Sequence, residues 1–389
     1  MKILHIAPLS PYNVGWSYQD NLLPKYHKKM GHDVVVIVST FENGRNGKYD
    51  VGESDFTLDD GIHVYRRKRL FGNSLVGKFL SYTNVKDILN EYKPDFIMVH
   101  SIITLALFQA IKYKKKVNKD CIIICDNHLD ENIGKRKNEV LTKLYYSYWS
   151  IINHFGIKYV SRYYGVTPWR REFLIKRFKI PKEKTDVLIM GADLENIDFS
   201  KRKAYRKKLE KEYFLKDQFI IITGGKIDKN KNIINLMDAV KKIKDVKLLI
   251  FGTISDDYKD EFESNINSNT IFLGWKNNDQ IYQLYLASDL AVFPGGHSVL
   301  WEQACACKIP CLFSKWPNMD HLNNGGNSAF INCKSAKLLK TDLLKYIKTD
   351  LYYKMKKIAE SDATNIYDYK YIAEKSIECV RDLKWKILN

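Results

Sequence analysis

The chain has 389 residues, 45% of them hydrophobic, which is too long for one ordinary core and apolar enough to fill two globular domains. Its net charge of +18, from 63 Lys and Arg against 45 Asp and Glu, has two readings: a field that attracts an anionic membrane face, or the solvated helix faces of a Lys-, Asn- and Ile-rich composition. No run approaches the ~20 apolar residues of a membrane span, the opening KILHIAP is too short for a signal-peptide core, and the cysteines lack paired zinc spacing, so a cytoplasmic protein without a metal site is expected.

In chain order, residues 3–7 predict a first strand. A turn-rich stretch follows, and then a helix capped by Ser17, with Leu22, Tyr26 and Met30 on one face and Gly31 as its stop. Residues 34–38 predict a fully buried strand, and the apolar runs 96–99, 121–125, 164–166 and 187–190 repeat it between helical segments. Such alternation predicts a parallel sheet covered on both faces. A charged stretch, 196–216, reads as a linker with an exposed helix, after which the pattern restarts at 219–222, 247–251, 270–273, 290–293 and 311–313. Two doubly wound domains, 1–195 and 196–365, are therefore expected, with a C-terminal helix, 366–389, packing back toward the first.

The segment GGKIDKNKN, 224–232, reads as a strand-to-helix loop. Its glycines allow close backbone approach, and Lys226 and Lys231 add positive charge, so the natural guest is an anion. A second such unit, PGGHSVLWEQA, begins after 290–293 and carries Glu302, whose carboxylate suits a ribose diol. Ligands of open α/β sheets bind beyond the carboxyl ends of the strands, so the loops after 3–7, 121–125, 219–222 and 290–293 are expected to converge on one interdomain cleft. Basic clusters at 112–119, 135–143, 170–184 and 201–211 are the candidate membrane-facing surface.

Four segments give these loops a family likeness: the opening strand and glycine loop with a helix ending in Lys29-Met30-Gly31-His32-Asp33-Val34-Val35; Asp126-Asn127-His128; Gly191-Ala192-Asp193; and GGKIDKNKN with the Trp301-Glu302-Gln303 helix. In these the chain resembles the family 4 glycosyltransferases, retaining enzymes of the GT-B fold, over essentially its whole length. The resemblance implies an acceptor-binding first domain and a nucleotide-sugar-binding second one. It implies that Lys226 and Lys231 grip the donor diphosphate and stabilise the leaving nucleotide, that Glu302 holds the ribose, and that His128 lies near the reacting sugar. A neutral imidazole there can donate to a sugar hydroxyl or the acceptor oxygen. Gly15, Gly225, Gly296, His297, Ser298 and Val299 complete the expected donor site, and Tyr12, Trp16 and Asp126 join His128 at the acceptor. Asp126 also reads as a loop-capping carboxylate. The family's other glutamate, eight positions before Glu302, is replaced by Pro294, which leaves sugar recognition unassigned.

The expected activity is transfer of a hexosyl or related sugar from a nucleotide-diphosphate donor to a hydroxyl acceptor, glycan, lipid-linked or protein, with retention and without a cofactor. Cell-surface polysaccharide synthesis, with the enzyme cytoplasmic or peripheral on the inner membrane face, is the setting this implies. A nucleotide-sugar epimerase and a non-catalytic nucleotide-sugar-binding scaffold are the alternatives. Nucleic-acid binding has only the charge in its favour.

Overall fold

The computed structural model describes residues 1–44, 47–72, 74–131 and 138–379. It divides into two compact units, Met1–Ile189 together with the chain from Ile372 onward, and Met190–Tyr371. The first unit carries strands β1 (Lys2–Ala7), β2 (Asp33–Ser39), β3 (Phe41–Gly44), β4 (Gly47–Asp50), β5 (Ser54–Thr57), β6 (His63–Arg67), β7 (Phe96–Val99), β8 (Ile122–Asn127), β9 (Arg162–Gly165) and β10 (Thr185–Val187). Eight of them form one sheet in the order β10-β9-β8-β7-β1-β2-β6-β5, parallel except for the β5–β6 pair. β1, β2, β7, β8 and β9 are buried along nearly their whole length and mostly apolar because both faces of this sheet are covered. On one face Leu4, Ile6, Ile97, Val99 and Ile123 pack against Leu107, Trp149, Phe173 and Phe178.

The second unit holds β11 (Phe219–Ile227), β12 (Val246–Ile254), β13 (Thr270–Gly274), β14 (Leu290–Phe293), β15 (Cys311–Ser314) and β16 (Ser328–Ile331), all parallel, in the order β13-β12-β11-β14-β15-β16. The strand order reverses between β1 and β7 in one sheet and between β11 and β14 in the other. Those are the switch points outside which α/β sheets open a crevice.

Several expectations change in detail. At the helix Gln19–Lys29 the N-cap position is Tyr18, one residue after Ser17, and the Tyr18 side chain makes no capping hydrogen bond. GGKIDKNKN is not a loop from its first glycine: β11 runs on to Ile227, paired with β12 throughout. The reason is a pair of glycines in register, Gly225 and Gly252, with φ of +119° and +132°; a Cβ on Gly252 would sit 1.9 Å from the Gly225 carbonyl oxygen. Only Asp228–Asn232 remains as loop, and Lys226 lies exposed on the strand extension. The stretch 196–216 is not a linker, since the helix Arg202–Tyr213 buries Leu209 and its Arg206 binds Asp289, Glu210 and the Gln218 carbonyl.

The fold also consumes part of the basic clusters 170–184 and 201–211. Arg170 is buried beside Asp130, Arg171 donates to Thr185 and Lys182, Lys184 donates to the carbonyls of Ile157 and Val160, and Arg202 binds those of Cys307 and Lys308. Residues 135–137 of the 135–143 cluster lie outside the described residues.

Candidate functional site

In the first unit the polar residues gather at the β1–β7–β8 end of the sheet. Asp126 closes β8, fully buried, and its Oδ2 accepts from His100 Nδ1 at 2.7 Å and Gln19 Nε2 at 3.1 Å. His100 Nε2 is 3.0 Å from His5 Nδ1, His5 Nε2 is 3.0 Å from His27 Nδ1, and His27 Nε2 is 2.8 Å from Ser376 Oγ. Asp126 only accepts, so His100 carries its proton on Nδ1, and each neutral ring behind it can donate toward the carboxylate through Nδ1. Burial would lower the pKa of His100, but Asp126 outweighs it and raises it. Burial and the neighbouring imidazoles push His5 well down. His27, lowered chiefly by burial, falls to about 3. Burial likewise opposes the charge on Asp126, and His100 and His128 outweigh it, holding the carboxyl well below the usual range.

His128, half-exposed after β8, has Nε2 3.7 Å from Asp126 Oδ1, beyond a hydrogen bond. That oxygen is buried and accepts no hydrogen bond among the described residues. Asp126 thus backs an imidazole rather than capping a loop; the cap is Asn127, which accepts from the Leu129 N–H and donates to the carbonyls of Leu129 and Arg170. Among the other expected acceptor residues, Trp16 is exposed beside Tyr18 near Gly15, whose φ is +78°. Tyr12 is buried, with Arg66 over its ring, and burial above all raises its hydroxyl to about 12. His5, His27, His100 and Gln19 were not anticipated. The available signal was a histidine inside the apolar run of β1 and another at the end of β7, since a polar group in such a run must find a buried partner.

In the second unit the loops after β11 and β14 are clamped together. Gly296 N donates to the Asn230 carbonyl at 2.9 Å, Lys231 Nζ to the Gly296 carbonyl at 2.7 Å, Asn232 Nδ2 to the Pro294 carbonyl at 3.2 Å, and Ser314 Oγ to the Gly295 carbonyl at 2.7 Å. A Cβ on Gly295 would lie 2.3 Å from the Asn230 carbonyl oxygen, so only glycine permits this contact. A small depression remains, bordered by Gly224, Lys231, Gly296, Ser298 and Trp301. Lys231 is largely desolvated, which lowers its pKa, while Gly225 faces Leu300.

Val299 precedes the helix Leu300–Ala306 without a side-chain cap. Glu302, in its first turn, has no solvent exposure; Oε1 accepts from His297 Nε2 at 2.9 Å and from His321 Nε2 at 3.0 Å. Burial would raise this carboxyl, but the two imidazoles outweigh it and hold it at about 2. The expected ribose ligand is therefore a sealed carboxylate already engaged by two side chains. Cys305, Cys307 and Cys311 are buried free thiols, and Trp275, 70% exposed, is not part of the core. Among the described residues no group of His, Cys, Asp and Glu is placed to hold a metal ion.

Two family models match successive parts of the chain, Glycosyltransferase Family 4 over residues 22–196 and Glycosyl transferases group 1 over residues 201–362. The chain belongs to glycosyltransferase family 4. A Campylobacter jejuni relative, N-acetylgalactosamine-N,N'-diacetylbacillosaminyl-diphospho-undecaprenol 4-alpha-N-acetylgalactosaminyltransferase, is 35% identical over 153 residues, 37% of this chain and 39% of that enzyme's length. Among solved structures, a Rickettsia africae glycosyltransferase superposes with a TM-score of 0.73 at 18% identity, over 98% of both chains. Anabaena Alr3699/HepE in complex with UDP-glucose superposes with a TM-score of 0.66 at 16% identity, over 98% of this chain and all of that one. These similarities give the family 4 glycosyltransferase its GT-B fold of two Rossmann-like domains. None of its described helices is long and apolar enough to cross a membrane.

Proposed function

We propose that the chain transfers a hexosyl-type sugar, with retention, from a nucleotide-diphosphate donor to a hydroxyl of a lipid-linked glycan in cell-surface polysaccharide synthesis. The observation that carries the donor half is Lys231. Its ammonium is partly buried between two glycine loops and is held by a carbonyl, and a cation withdrawn from water is stable only when properly paired. A diphosphate oxygen replacing the Gly296 carbonyl would add negative charge to that of Asp228, which already acts on this ammonium, and Lys226 on the exposed strand extension would add a second contact. The two lysines would then neutralise the leaving nucleotide without a divalent ion. On this reading chelation with EDTA leaves turnover unchanged. In the first unit, His128 backed by Asp126 is the group that meets the acceptor hydroxyl or the reacting sugar.

Support for a lipid-linked acceptor, beyond the Campylobacter relative, comes from the helix Glu139–Gly156. Val140, Leu144, Ile151 and Phe155 are 58–69% exposed and repeat at helical spacing on one face, with Lys143, His154 and Lys158 exposed among them. An apolar stripe edged by basic side chains is the pattern of a helix lying in an anionic membrane interface. The deciding experiment is transfer from a panel of nucleotide-sugars to undecaprenyl-diphosphate-linked saccharides, with the new anomeric centre read by NMR. Nucleotide release that needs no acceptor, or an inverted product, would overturn the proposal.

A further inference from the structure

Glu302 serves two imidazoles, and the two end differently. Nδ1 of His321 is sealed in the interior without a hydrogen-bond partner among the described residues, and its carbonyl is held by Tyr367 Oη at 2.5 Å. His297 instead stands on the β14 loop, one residue beyond the Lys231–Gly296 contact, with its ring edge-on to Trp301 at 5.3 Å and 86°. Its Nε2 faces both oxygens of Glu302, at 2.9 and 3.1 Å, while Nδ1 makes no hydrogen bond among the described residues.

We infer that Glu302 is a positioning residue that fixes His297 as the Nε2–H tautomer, so that Nδ1 is an acceptor for a hydroxyl group of the nucleotide-sugar. The inference rests on the reading of this unit as the donor-binding one. An ionised carboxylate can only accept, so the ring nitrogen facing it carries the proton and the lone pair of a neutral ring stands on the other nitrogen. Trp301 restrains the ring plane, as an edge-to-face neighbour does. Lys231, which contacts the carbonyl of Gly296, the residue before His297, is a donor suited to phosphate oxygens; an acceptor nitrogen on the next residue is of no use to a phosphate and matches a hydroxyl. A glutamate is an acceptor in any orientation, whereas an imidazole becomes one only when its other nitrogen is held, and Glu302 does that. Recognition of a hydroxyl is thereby displaced from a sealed carboxylate to the histidine in front of it.

Two measurements test this. In the ligand-free protein, the ¹⁵N shifts of labelled histidines should show His297 protonated at Nε2 and unprotonated at Nδ1; this needs no variant and stands even where Glu302→Gln fails to fold. Calorimetry with UDP, 2′,3′-dideoxy-UDP and UDP-glucose should show His297→Ala weakening the probe that carries the recognised hydroxyl by about tenfold, the worth of one hydrogen bond. Loss with UDP but not with its dideoxy analogue identifies a ribose hydroxyl, and loss with UDP-glucose alone identifies the sugar. Glu302→Gln should reproduce that loss and add nothing in the His297→Ala background. A Glu302→Gln penalty specific to the ribo-nucleotide that persists without His297 would mean that Glu302 touches the ribose itself, and would overturn the inference. Protonation of His297 at Nδ1, with all three probes bound, overturns it while leaving the donor reading intact; a wild type with the locked tautomer that binds none of them overturns both.

Discussion

His100 Nδ1 lies 2.7 Å from Asp126 Oδ2, and both side chains are buried. A carboxylate with no access to water can remain ionised only through such partners, and breaking a buried pair by removing one member costs about 3–5 kcal/mol. Asp126→Asn should therefore lower stability by about that amount in urea titrations. His100→Gln should cost much the same, and the double variant should fall well short of the sum. Additive losses would show that the two groups act independently.

His128 is the exposed end of this arrangement. His128→Ala should reduce the transfer rate by 10²- to 10⁴-fold, the usual effect of losing a positioned acid or base, and leave nucleotide affinity unchanged. Steady-state kinetics alongside calorimetry separates the two, and normal turnover would remove His128 from the reaction.

Acid sensitivity should come from His27. Its folded pKa of about 3 lies below the ordinary value of 6.5, so at intermediate pH the unfolded chain binds more protons and stability falls as pH drops below about 6.5. By about pH 4.5 this one group costs about 2–3 kcal/mol. His5, also lowered, acts in the same direction, and His100, raised by Asp126, acts in the opposite one. Urea denaturation across this range should give a flatter pH profile for His27→Gln than for the native protein, whereas parallel profiles would remove His27 as the source.

Lys231→Ala should weaken nucleotide-diphosphate binding by about 10- to 100-fold, the worth of a charge-assisted hydrogen bond, and affect the nucleoside little. Lys226→Ala should act in the same direction. Equal losses for both ligands, read by calorimetry, would take Lys231 off the phosphate.

On the proposed membrane-facing stripe, Leu144→Ser with Phe155→Ser should reduce co-sedimentation with anionic vesicles by at least tenfold, since each side chain leaving water contributes about 2 kcal/mol. Binding should also weaken as salt shortens the Debye length to about 8 Å. Equal pelleting of native and variant protein would free this helix from the role.

How much of this was legible beforehand depended on which physical pattern the sequence exposed. The parallel strands were visible because burial on both faces leaves apolar runs such as 34–38 and 290–293, and the glycine pairs marked the segments after β11 and β14 that meet each other. β5 and β6 at the sheet edge, and the hairpin β3–β4, carry too many polar residues to stand out. The helix Glu139–Gly156 has an apolar arc wider than the face it buries, so periodicity cannot separate Trp149, which is buried, from Ile151, which is not. The expected charge clusters had no means of revealing that Arg170 and Lys184 are spent inside the fold. Glu302 was found by its place after the glycine loop, but its partner His321 lies 19 residues further on, and no local pattern links the two.

The contact between His27 and Ser376 joins positions 349 residues apart in the chain. A ribosome delivers Ser376 only after the whole of Met190–Tyr371, so the first unit is begun before the second and completed after it: until that later segment emerges, the far end of its histidine row has no Ser376 to meet. The same order governs any attempt to express that unit alone. A fragment ending at Ile189 would lack a piece of its own interior, and one meant to fold would have to carry the chain from Ile372 onward, joined by a linker or supplied as a separate peptide.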